Sequence, residues 1–362
     1  IAASFFIGGT LHAQAWKAKA ISDMKKGDFA KVEQTISKLS QEEQNKHAWL
    51  IDSLQAMMSR IRDDFRLSRE EGKKLLLEKI PGATDKQIEA WKQKKYLETR
   101  MIDGEERWFR KTISNFALLN KDVYPAEIVQ GKKKEYAKVH PMCEHILTQK
   151  LEENNTCDWK KVNATFYIEV PADAVPAGET IKAWLPYPFD NGRQRNFQLL
   201  SSSSQAIHSS GSLHHTVYME QKVVKGQPTR FEMKFSYEVG AQVFHQADIL
   251  KNLKPYDKQS DLYKKFTAQE LPHMLVNKQM KTLAQKIVGA ETNPVLQASL
   301  IYDWISANYP WAGAIDYSTI PCIPQYVLDI NHGDCGQVTL LYISLLRSLG
   351  IPARWESGWV FD

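Results

Sequence analysis

The chain of 362 residues is 43% hydrophobic and 25% charged, with 47 Lys and Arg against 42 Asp and Glu and a formal net charge of +5. That balance excludes an intrinsically disordered polyelectrolyte, and the interleaving of the two signs argues against a surface built for a polyanion. At roughly 150 residues per domain the length predicts two or three domains, enough chain to bury sizeable cores.

The first residues, Ala2-Ala3-Ser4-Phe5-Phe6-Ile7-Gly8-Gly9-Thr10-Leu11, form an apolar run closed by the small-x-small pattern Ala13-Gln14-Ala15. This reads as the back half of a signal peptide over 1–15, with a mature chain starting near Ala15 or Trp16 and an exported, periplasmic or secreted destination. The run is too short for a bilayer span and no cysteine follows it, so neither a membrane anchor nor a lipoprotein is expected. With no initiator methionine, the chain reads as truncated at its start.

Residues 16–155 are predicted as a mainly helical accessory domain, with amphipathic stretches around Ala18–Ser40, Glu42–Asp64, Ser68–Lys79 and Thr84–Tyr96. Ser68-Arg69-Glu70-Glu71 has the form of a capping box, and Pro81-Gly82 breaks the helical pattern. The segment Tyr96–Phe109 is centred on Asp103-Gly104 and reads as a tight hairpin. Two helices and a hairpin can make a DNA-binding winged helix. The local charges balance, however, so no nucleic-acid partner is expected, and the preferred reading is a helical domain that packs against or shields the rest.

Lys132-Lys133-Lys134 reads as a solvated linker face, with a domain boundary between it and Trp159. Cys143 and Cys157 close a short loop and are the disulfide candidate in an oxidising compartment. From Asn163 the periodicity changes to two, through Thr165–Val170, Ile181–Pro186, His215–Met219 and Phe231–Tyr237, separated by turn-rich segments that include Ser201–Ser204. A β-sandwich module over 160–242 follows from that pattern.

The remaining stretch, 250–362, is predicted as a third domain. Asn293-Pro294-Val295 starts a helix through Ala298, Ile301, Trp304 and Ile305, which Tyr309-Pro310-Trp311 ends. The proline-rich segment Ile320–Gln325 is placed as one wall of a cleft, with Cys322 as a buried or partly exposed free thiol. No Cys-x-x-Cys or His-x-x-x-His spacing occurs and the pair His214-His215 has no nearby partners, so neither a metal nor a cofactor is expected. Within Gly333-Asp334-Cys335-Gly336-Gln337, Asp334 suits a helix cap and Cys335 the first turn, where unpaired N–H groups and the helix dipole favour a thiolate. Val338, Leu341, Tyr342, Leu345, Leu346 and Leu349 continue the helix to Gly350, Pro352 forbids its extension, and Ala353–Phe361 reads as a strand.

Gly333-Asp334-Cys335-Gly336-Gln337, the apolar helix after it, Leu349-Gly350-Ile351-Pro352-Ala353-Arg354 and Ser357-Gly358-Trp359 together resemble the bacterial transglutaminase-like cysteine enzymes over roughly Leu296 to Phe361. The β module and its Trp184-Leu185-Pro186-Tyr187-Pro188 stretch also resemble modules that precede such cores. The resemblance implies a multidomain α+β chain whose papain-like core uses a Cys-His-Asp triad, with Cys335 as nucleophile. By the same resemblance Trp311 helps to hold an oxyanion, or is a core or rim tryptophan. The triad histidine and aspartate are expected beyond Asp362, so this stretch reads as incomplete and inactive by itself. His332, three residues before the cysteine, is in the wrong order for the base and is taken as a loop residue that packs or caps the turn.

The function implied is exported, cysteine-dependent acyl transfer on peptide or amide bonds through a thioester, hydrolytic rather than cross-linking, with a peptide or protein as substrate. The competing reading is a non-catalytic protein of the same fold that binds peptide or glycan.

Overall fold

The computed structural model describes residues 5–120, 141–209 and 215–358. Lys132-Lys133-Lys134, His214 and the chain from Trp359 to Asp362 lie outside the described residues. The protein is a mixed α/β chain that divides into two compact units, one made of Ile1–Gln130 with Lys254–Asp362 and the other of Gly131–Leu253.

The first unit begins with α1 (Phe5–Lys26), α2 (Phe29–Ser37), α3 (Gln41–Lys46) and α4 (Ala48–Asp64). α1 continues unbroken through the expected boundary at Ala15 and Trp16, and Trp16, Ala20 and Met24 enter the core at helical spacing. No described helix is long and apolar enough to cross a membrane. Gly27 turns the chain from α1 to α2 at φ 85°, and a Cβ there would lie 2.1 Å from the Met101 carbonyl oxygen, so both conformation and space require glycine.

There follow β1 (Leu67–Ser68), α5 (Arg69–Lys79), α6 (Asp85–Gln93), β2 (Thr99–Ile102), β3 (Glu105–Trp108) and α7 (Thr112–Leu119), the strands forming an antiparallel sheet in the order β1-β3-β2. Leu76, Ile88, Leu97, Trp108 and Phe116 make a small core of their own. Both arms of the Ser68 capping box form: Ser68 Oγ accepts from Glu71 N at 3.1 Å, and Glu71 Oε2 accepts from Ser68 N at 2.8 Å. Ser68→Ala is therefore expected to cost about 1 kcal/mol, read as a fall of roughly 2–4 °C in a thermal melt.

The second unit carries β4 (Thr156–Val170), β5 (Thr180–Pro186), β6 (Gln194–Ser202), β7 (Ile207–Ser209), β8 (Thr216–Lys222), β9 (Thr229–Gln242) and α8 (Gln246–Lys251). The antiparallel sheets β4-β9-β6 and β5-β8-β7 enclose one core. On β9 every second residue from Phe231 through Met233 and Phe235 to Tyr237 is buried, facing Ala183, Leu185, Val217 and Met219. β6 escaped the sequence reading, which took Ser201 and Ser202 as turn. Register shifts between Arg195 and Gln198 and between Leu199 and Ser201 break the alternation by which a strand is recognised. The expected pairing of Cys143 with Cys157 is not realised. Cys143 is exposed, while Cys157 is buried at the start of β4 with its thiol on the Ile146 carbonyl at 3.8 Å.

The first unit resumes with α9 (Asp261–Thr267), α10 (Lys278–Val288), α11 (Pro294–Asn308), α12 (Ile323–Ile330) and α13 (Cys335–Ser348). Asn293 caps α11 by accepting from Val295 N at 3.0 Å, with Pro294 in the first turn, where its missing N–H costs nothing. Met280, Ala284, Ile301, Ile305, Val327, Leu341 and Leu345 belong to the same core as Phe29, Val32, Leu54 and Met58. The N-terminal helices are thus not a separate accessory domain, because they fall in one compact unit and one core cluster with the C-terminal helices. The strand expected over 353–361 is not formed over its described part, 353–358. Residues 353–358 are irregular, held by the Ala353 N–H on the Phe266 carbonyl at 3.0 Å, and among the described residues no strand runs beside them to complete a ladder.

Candidate active site

Cys335 is the first residue of α13 and its side chain is exposed. Asp334 caps that helix: its Oδ1 accepts from Gln337 N at 3.0 Å, and Gln337 Oε1 accepts from Asp334 N at 3.2 Å, closing a capping box. Gln337 is buried, and its Nε2 has no partner among the described residues. An unpaired buried donor of this kind costs about 1–3 kcal/mol, so the cap is held against a local penalty. The first-turn N–H groups beside Cys335 have no acceptor within the helix and suit an anion.

The turn before the cysteine is fixed from two sides. Asn331 ends α12 in the left-handed conformation at φ 59°. Gly333 then pairs in parallel with Trp311: Ala312 N donates to Gly333 O at 3.1 Å, and Gly333 N donates to Pro310 O at 3.3 Å. Trp311, 57% exposed, is thereby tied two residues upstream of Cys335 with its indole in solvent reach.

His332 is buried, and that burial pushes its pKa down to about 4. It is neutral near pH 7 and a weak base, in keeping with a packing role. Among the described residues no histidine hydrogen-bonds the Cys335 thiol. The proline-rich segment supplies core more than cleft wall, since Ile320, Ile323 and Pro324 are buried while Cys322 stays partly exposed at the start of α12. The described residues hold no cluster of three or more His, Cys, Asp and Glu side chains suited to a metal ion.

Sequence reasoning missed the residues of the N-terminal segment that grip the loops around Cys335. Asn115 on α7 donates from Nδ2 to Gly313 O and accepts from Gly313 N, both at 2.8 Å and both buried. Buried Asp64 accepts from Asp316 N at 2.6 Å and from Arg110 Nε at 3.1 Å. Arg60 donates to Ser318 Oγ at 2.6 Å, and Tyr326 on α12 donates its phenol proton to Glu98. The one signal available was Asn115 itself, a polar residue beside Phe116 on the buried face of α7.

Glu98 has a pH consequence. Burial, together with the nearby Asp64 charge, pushes its carboxyl up to about 7, against the Tyr326 hydrogen bond and the cations Arg100 and Lys95. Between its ordinary value of 4.5 and about 7 the folded chain holds a proton that the unfolded chain releases, so stability is full below the lower value and falls as pH rises through the upper one. Melting temperatures at pH 5 and pH 7.5 should show this fall in the wild type and a flatter response in Glu98→Gln.

The sequence profile of the transglutaminase-like superfamily matches residues 281–362. An uncharacterized protein of Haemophilus influenzae (strain ATCC 51907 / DSM 11121 / KW20 / Rd) is 24% identical over 208 residues, 52% of this chain and 52% of that protein. The chain therefore spans about half the length of the curated relative it matches. The crystal structure of a candidate cysteine protease from Cytophaga hutchinsonii is similar at 19% identity and a TM-score of 0.40, over 55% of this chain and 65% of that one, a likeness too slight to bear on the chemistry.

Proposed function

We propose, on the premise that residues 281–362 belong to the transglutaminase-like superfamily, that this protein is a cysteine-dependent acyl-transfer enzyme acting on peptide or amide bonds from a papain-like core. The observation that carries the reading is the exposed thiol of Cys335 at the capped start of α13, inside the matched region. The thiolate adds to the amide carbonyl carbon, and the carbonyl oxygen takes the negative charge. The first-turn N–H groups hold that oxyanion, with the Trp311 indole N–H as a further donor. Collapse of the intermediate breaks the C–N bond; the amine leaves with the proton that the thiol gave up, and a thioester remains on Cys335. Water then attacks the thioester, releasing the acid and restoring the thiol. Hydrolysis is preferred to cross-linking because water is the default acceptor. The apolar run before Trp16 supports export to the periplasm or medium as part of this reading.

Trapping tests it. In the full-length protein, a peptide amide substrate quenched in acid should leave an acyl group on Cys335, located by fragmentation because the same tryptic peptide holds Cys322, and hydroxylamine should remove it. Turnover without any such adduct would overturn the thioester step. The second reading is a protein of this fold that binds peptide or glycan without turnover. Saturable binding with no product over long incubation would support it.

A further inference from the structure

We infer that Tyr317 is a positioning residue for Cys335, its phenol holding and partly neutralising the Asp334 carboxylate that caps the cysteine's helix. The inference rests on the reading of Cys335 as the nucleophile. Tyr317 Oη donates to Asp334 Oδ1, the oxygen that also accepts from Gln337 N. The phenol also lies against the backbone just after the cysteine, since a Cβ at Gly336 would sit 2.2 Å from Tyr317 Oη. This close approach is a physical reason for glycine at 336.

A carboxylate one residue before a thiolate works against it, because like charges at short range disfavour the second ionisation. The cap is nevertheless needed to order the turn. A donor that shares the carboxylate with the backbone N–H disperses its charge and keeps the cap in place. Burial, then the Asp334 carboxylate and last the Cys335 thiol, the titratable groups that bear on Tyr317, hold the phenol well above its ordinary pKa, so it remains a donor at working pH. The donor is also held in place beforehand. Its short 3-10 turn, Tyr317–Thr319, is anchored by Asp64 on Asp316 N at 2.6 Å and by Arg60 on Ser318 Oγ at 2.6 Å.

The test is the rate of Cys335 alkylation by iodoacetamide as a function of pH in the full chain, for wild type, Tyr317→Phe, Asp334→Asn and the double variant, with far-UV circular dichroism as the check on folding. Tyr317→Phe should slow alkylation near pH 7 on the order of tenfold and move the profile to higher pH. The double variant should return toward wild type, because no carboxylate is left to offset. A profile unmoved by Tyr317→Phe, with only a lower melting temperature, would reduce Tyr317 to packing and overturn the inference. Should Tyr317→Phe fail to fold, Gly336→Ala, whose methyl would displace the phenol, reads the same shift. A moved profile in a protein that never forms an acyl adduct would keep the inference about the thiol while removing the proposed enzyme.

Discussion

In the full-length protein, Cys335→Ala is expected to lower turnover of a peptide amide by roughly 10^5- to 10^6-fold, the scale on which loss of a covalent nucleophile acts when the rest of the site survives. The fold should not change. The thiol is exposed, so its removal opens no cavity, and alanine is at home in the first turn of a helix. The variant should therefore melt with the wild type, retain binding, and lose both the acyl adduct and the iodoacetamide label at position 335, while the label at Cys322 persists. His332→Ala makes the contrast. That ring is buried, so its truncation should destabilise the turn without abolishing labelling of the cysteine. Undiminished turnover in Cys335→Ala would refute the nucleophile assignment outright.

What was legible in the sequence was local. The capping box at Ser68, the helix start at Asn293-Pro294-Val295, the Asp103-Gly104 turn and the placement of Cys335 behind Asp334 each depend on residues within four positions of one another, and all form. The alternation of Phe231, Met233, Phe235 and Tyr237 likewise announced its strand. What failed depended on distant partners. Ala353–Phe361 has strand composition, but pairing decides a strand, and over 353–358 no described strand supplies it. The N-terminal helices have amphipathic patterns that say a face is buried, not against what. They share one core cluster with Met280, Ile301 and Leu341, more than two hundred residues away. The same holds at the site, where Tyr317, Asp64 and Asn115 act largely on backbone groups or caps, and a backbone acceptor leaves no mark in the sequence.

Asn115→Ala should show what that long-range contact does. Asn115 and Gly313 exchange two hydrogen bonds of 2.8 Å across 198 positions, both buried. Alanine leaves a backbone N–H and a backbone C=O without partners, at about 1–3 kcal/mol each. A loss of about 2–5 kcal/mol in urea unfolding is therefore expected, with the slope of the transition unchanged. Asn115→Asp should not rescue it, since a carboxylate can accept from Gly313 N but turns a second acceptor toward Gly313 O. The loop so released carries Trp311, whose pairing with Gly333 fixes the turn before Cys335. Turnover should accordingly fall by more than the unfolded fraction accounts for, in kcat rather than KM, if the loop positions the oxyanion donor. Ser68→Ala is the control, because it weakens a cap in the same N-terminal segment without touching this loop. If the two variants lose activity only in proportion to unfolding, Asn115 supports the fold alone. If Asn115→Ala loses kcat while still folded, the N-terminal helices form part of the catalytic scaffold.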